Sequence, residues 1–115
     1  LVYTMGSVIP LWSLRFSDDN FGTPMLFPPP QLSTHYPDLP HHWINFYDRH
    51  AIFGFPLRSI NNRYAAAVNE DREIDAGGPL VNWNPASHHA YWDDSDVINP
   101  IAESLVATWR SVNGL

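Results

Sequence analysis

The chain has 115 residues, enough for one small domain with a single core and too few for two. Apolar residues make up 44% and aromatics 14%, which excludes a disordered chain, because that much apolar surface offsets the entropy of ordering. Six Lys and Arg against twelve Asp and Glu give a formal charge of −6, so nucleic acid is excluded as an expected partner. No apolar run approaches the ~20 residues of a membrane span, and the first residues lack the basic-then-apolar layout of a signal peptide. Cysteine is absent, which rules out disulfides and thiolate metal sites and leaves the compartment undetermined. Eleven prolines and six glycines predict long irregular connections between short elements.

Residues 1–7 are β-branched and aromatic up to Gly6-Ser7 and predict a short buried strand. That run starts with neither an initiator Met nor a turn, as expected of a chain cut away from something upstream. Residues 8–16, with Pro10, Trp12 and Leu14, are ambiguous. Residues 17–40 carry Pro28-Pro29-Pro30 and predict an extended, partly polyproline loop. Trp-Ile-Asn-Phe-Tyr at 43–47 predicts the second strand, closed by Asp48, Arg49 and His50.

Residues 60–68 read as one or two helical turns or an irregular surface segment. A short strand is expected at 72–75, turned by Gly77-Gly78 into another at 80–83, which Asn84-Pro85 ends. Polar loop is expected from there to about Ser95. Ile98, Ile101, Leu105, Trp109 and Val112 recur at helical spacing, and Asn113-Gly114 supplies a stop. The start of that amphipathic helix is open: Asn99 with Pro100 in the first turn, or the earlier Asp94-Ser95-Asp96.

Three pieces, in this order, resemble the tail of the α/β-hydrolases, particularly the lipase-like and esterase-like members. Strand one with Gly6-Ser7 and Val8-Ile9-Pro10-Leu11 is similar to that family's sixth strand, with Val8 where proline is frequent. Strand two with Ile52-Phe53-Gly54-Phe55-Pro56 is similar to the seventh strand and the acid loop. Residues 84–92, Asn-Pro-Ala-Ser-His-His-Ala-Tyr-Trp, resemble the histidine loop, and the final helix matches the one that packs on the sheet.

The resemblance covers nearly all of residues 1–115. It implies a partial α/β-hydrolase-like fold: one truncated domain of few short strands, long loops and a C-terminal amphipathic helix. It implies His88 as general base, with His89 as its immediate rival. The family's acid position falls on Ala51, which leaves Asp48 as the nearest carboxylate. No Gly-x-Ser-x-Gly elbow occurs, and chain order in this family places the nucleophile ahead of the acid and the histidine, hence before Leu1.

Without a serine, a metal-bound water is the other source of a nucleophile. His41, His42, His50 and His89 all lie near predicted strand ends, and imidazole with carboxylate suits Zn²⁺ or another divalent ion. Neither His-x-His nor His-Glu-x-x-His is present. Asp93, Asp94 and Asp96 read as acidic residues favoured ahead of a helix, and the five tryptophans as packing.

The expected function is hydrolysis of an ester or phosphoester, with a small-molecule substrate. The alternative is a non-catalytic half-domain that pairs with a second copy or with a missing N-terminal half, because truncation beside strand one exposes an apolar edge.

Overall fold

The computed structural model describes residues 1–15, 21–38, 41–52, 54–76 and 85–115, with the backbone alone for 85–87. In chain order the elements are β1 (Val2–Met5), α1 (Ile9–Ser13), α2 (Pro30–His35), β2 (Trp43–Tyr47), α3 (Asn62–Ala67), β3 (Glu70–Glu73), a 3₁₀ helix (Pro85–Trp92) and α4 (Ser95–Val112). The strands form one sheet in the order β1-β2-β3. Both pairings are parallel, Val2 opposite Trp43 and Ile44 opposite Glu70 at their starts. The chain is therefore an α/β unit, as expected. Among the described residues no helix is long and apolar enough to cross a membrane.

β2 is central, and its near-continuous apolar sequence suits a strand covered on both faces. Alternation sends Ile44 and Phe46 to one face, where they pack with Ile74, Tyr91 and Val97. Trp43 goes to the other, against Leu57, Tyr64 and Val68. Asn45 on that second face is fully buried. It accepts from Thr4 Oγ1 (2.8 Å) and donates to Asp71 Oδ1 (2.8 Å), so a polar rung crosses all three strands at one register level. Asp71 also accepts from the Leu57 and Arg58 amides at 2.8 Å, tying the loop after β2 to the sheet.

Several boundaries depart from the sequence reading. The expected loop at 17–40 contains α2, because Pro30 stands in the first turn, where its missing N–H costs nothing and its fixed φ already suits a helix. The ambiguous residues 8–16 contain α1, entered after Ser7, whose Oγ accepts from the Ile9 amide at 3.3 Å. In 60–68 the helical alternative holds, since Asn61 caps α3 by accepting from the Arg63 and Tyr64 amides.

β3 begins two residues before the expected strand at 72–75. The Asn69 carboxamide accepts from the Trp43 amide at 2.8 Å and fixes the register there. The polar loop expected before Ser95 is largely a 3₁₀ helix. The strand expected at 80–83 lies outside the described residues.

α4 takes the earlier of its two starts. Asp94 is the cap, its Oδ1 accepting from the Asp96 amide at 2.8 Å, and Pro100 sits inside the helix. At the other end Gly114 adopts φ +67° while the Leu115 amide donates to the Arg110 carbonyl at 2.9 Å, the bond expected of a glycine-terminated helix.

Candidate functional site

In an open parallel sheet the carboxyl ends of all strands share one edge, and the loops leaving that edge form the usual ligand crevice. Here those loops start at Gly6, Asp48 and Ile74. Asp48 closes β2 and is completely buried. Its Oδ1 accepts from the His50 amide at 2.8 Å and its Oδ2 from the Ala76 amide at 3.1 Å. A buried carboxylate is tolerable only with such partners, and two backbone donors hold this one rigidly. Arg49 forks onto Glu73 and lowers the Glu73 carboxyl below its usual range, fastening the β2 and β3 ends from the solvent side.

The histidine within reach of Asp48 is His50, with Nδ1 3.5 Å from Oδ1. Asp75, just beyond β3, joins them: one ligand atom from each of Asp48, His50 and Asp75 lies within 4.8 Å of the others. An imidazole with two carboxylates is an N/O set suited to Zn²⁺ or another divalent cation, and a carboxylate's lone pairs allow Asp48 a metal bond beside its backbone partners. Among the described residues this group could hold such an ion.

Of the four histidines considered as ligands, His50 alone belongs to that group. His41 and His42 precede β2, at the opposite end of the strand from Asp48. Five residues at ~3.3 Å each put that end roughly 16 Å away. The His41 ring meets Phe27 edge-on, with centroids 6.2 Å apart. His89 is exposed and lines, with His88, a cleft of about 620 Å³ floored by Met5, Gly6, Ser7 and Val8.

Asp48 and His88 are joined through Tyr91. The Asp48 amide donates to the Tyr91 hydroxyl at 3.0 Å, and the Tyr91 ring lies 5.8 Å from His88 in an edge arrangement. The 3₁₀ geometry explains the second contact: residues three apart eclipse one another, so His88 and Tyr91 share one side of the helix. Tyr91 is 1% exposed, and burial pushes its phenol up to about 12. The phenol therefore stays neutral at any physiological pH.

Gly54 is the counterpart of this contact. A Cβ there would stand 3.0 Å from the Asp48 carbonyl oxygen and 3.1 Å from the Tyr91 hydroxyl, tighter than most packed Cβ contacts, so a neighbour has to give way by a few tenths of an ångström. Gly54→Ala is expected to destabilise the protein by about 1–3 kcal/mol through overpacking, read as a lowered urea midpoint with an unchanged m-value. Retention of the wild-type midpoint would show that the Asp48–Tyr91 contact yields freely.

Asp75, Tyr91 and Gly54 were not singled out from sequence. Tyr91 carried one usable signal, its three-residue step from His88, which acquires meaning only once that stretch is a 3₁₀ helix. Asp75 carried none, being one acid among many in a polar stretch.

The chain is thus a small α/β unit with a buried acid, a histidine-lined cleft and a candidate cation group along the carboxyl edge of a parallel sheet. Comparison with family models, with curated proteins and with solved structures found no match.

Proposed function

We propose that this protein hydrolyses an ester or phosphoester, on a fold related to the C-terminal part of the α/β-hydrolases, with a metal-bound water as nucleophile and His88 as the proton-transfer residue. The observation that carries the reading is the convergence of Asp48, His50 and Asp75 next to Tyr91, whose ring also meets the cleft residue His88 edge-on. The sequence offers no Gly-x-Ser-x-Gly nucleophile, and a cation-bound water removes the need for one.

In this reading Asp48, His50 and Asp75 would hold the ion, and the chemistry it would supply is a water activated near neutral pH. His88 lies exposed on the wall of the cleft, where an imidazole can take up a proton and return it to a leaving oxygen. Tyr91 meets one side of its ring edge-on. The apolar Met5 and Val8 offer the cleft a surface for the substrate's non-reacting portion.

The test is turnover of an aryl ester and an aryl phosphoester after exhaustive chelation and after Zn²⁺ is returned. Activity is expected to vanish on chelation and recover with about one equivalent of Zn²⁺. Asp75→Asn is expected to weaken Zn²⁺ binding at least ~10-fold by calorimetry, since it removes a charged ligand on the exposed side of the group. Activity that survives chelation would defeat the metal assignment.

A further inference from the structure

The two edges of the sheet are built differently. The outer strand β3 is Glu70-Asp71-Arg72-Glu73, charged at every position, as protected edges are. The opposite edge, β1, is Val2-Tyr3-Thr4-Met5, with neither a charge nor a proline. Among the described residues β1 pairs with β2 alone. The Val2 amide donates to the His42 carbonyl just ahead of β2 and the Gly6 amide to the Phe46 carbonyl within it, so alternation turns the backbone groups of Tyr3 and Met5 outward.

α4 has a matching asymmetry. At about 100° per residue its surface divides into three rows. Val97, Ile101, Ser104 and Thr108 form the row turned to the protein: Val97 and Ile101 pack in the core and the other two are half-buried. Asp96, Asn99 and Glu103 form a second row, sharing a cavity with Arg72, Glu73 and Ile74 at the β3 side. Going round the helix from that row past the core row leads to a third, Ile98, Leu105 and Trp109, 45–59% exposed, while Val112 beyond them lines a cavity with His35, Tyr36, Pro37 and Asp38. This apolar row therefore faces the β1 side of the molecule, above the space beyond the unguarded strand.

We propose that a second copy of this chain occupies that space. A two-fold axis perpendicular to the sheet beside β1 pairs β1 with its symmetry mate antiparallel and gives a six-stranded sheet with a charged β3 at each end. The same axis leaves both α4 helices on one face and turns their apolar rows towards each other over the seam. One operation thus covers both features that lack a partner among the described residues, as an isologous interface requires. Three half-exposed large side chains present on the order of 300 Å² of apolar surface. The strand pairing adds to this, approaching the ~800 Å² per partner of a stable interface. The inference stands independently of the proposed chemistry.

Sedimentation equilibrium of the full chain, between about 1 and 100 μM, is expected to give twice the 13.1 kDa chain mass as a closed species. Leu105→Glu with Trp109→Glu is expected to raise the dissociation constant at least ~100-fold with unchanged far-UV circular dichroism, whereas Glu103→Ala leaves it unaltered. Should the double variant fail to fold, Leu105→Cys is expected to be joined to its mate by a short bismaleimide, and Glu103→Cys is not. A monomer across the whole range, open-ended assembly, a dimer that survives the paired glutamates, or preferential cross-linking at position 103 would each overturn the proposal.

Discussion

Asp48→Ala is expected to lower the stability of the protein by about 3–5 kcal/mol. Asp48 is fully buried and accepts from two backbone amides, those of His50 and Ala76. Alanine strands both donors, and the Ala76 amide sits in the core, where leaving a donor unpaired costs roughly 1–3 kcal/mol and more when the lost acceptor was charged. A domain of this size has only about 5–15 kcal/mol to lose. Thermal unfolding is therefore expected to shift down by at least ~10 °C. Asp48→Asn keeps the volume and one acceptor oxygen and is expected to lose about half as much. If Asp48→Ala unfolded within a degree or two of wild type, the carboxylate would not be the fastening between the β2 and β3 ends described above.

The second large effect concerns Tyr91. Tyr91→Ala removes a buried ring that fills the core beside Phe46 and Val97, at a cost of about 3–5 kcal/mol. Tyr91→Phe keeps the ring and removes the acceptor of the Asp48 amide, at a cost of about 1–3 kcal/mol.

Tyr91 also leaves a signature in alkali. Its folded pKa is raised, chiefly by burial, from an ordinary 10.0 to about 12. A raised folded value means the folded state holds the proton more tightly, so the contribution is fully present below pH 10 and is lost as pH climbs through 12. Two units correspond to at most roughly 2–3 kcal/mol. Chelated wild-type protein is expected to lose about 2 kcal/mol more than Tyr91→Phe over that window in urea titrations. Parallel losses in the two proteins would show that the phenol ionises as freely in the folded as in the unfolded chain and is not desolvated by its burial.

How much of this could be read in the sequence varies element by element. β2 was legible to the residue because Trp-Ile-Asn-Phe-Tyr is apolar on both faces, as a central parallel strand demands. β3 was displaced because its residues are charged, and what fixes its position is pairing with β2, a non-local fact. The proline run misled in α2, since a proline that stiffens an extended loop also opens a helix. α4 is the most instructive case. Its helical period was plain, yet of the five apolar residues that revealed it only Ile101 packs in the core, while Val97 does the same work without having been counted. Periodicity finds the helix; it does not say which part of a wide apolar arc faces inward.

The site was legible in part. Asp48, His50 and His88 were drawn from strand ends and from a family resemblance, and the structure sets all three at the carboxyl edge of the sheet. Their grouping differs from the expected one, because His50 follows Asp48 by two residues in a tight loop while His88 arrives on a separate 3₁₀ helix. Asp75 and Tyr91 come from elements that sequence could not place next to Asp48. Such groups depend on which strand ends lie side by side, and spacing along the chain does not carry that information.

The central claim is that His88 moves the proton in a hydrolytic reaction at this edge. It is tested most directly by kcat and KM for an aryl ester, measured on Zn²⁺-loaded wild type and on His88→Ala matched for fold by circular dichroism. The account predicts that kcat falls at least ~100-fold in His88→Ala with KM little changed, as for loss of a general acid–base. Wild-type kcat in His88→Ala would contradict it.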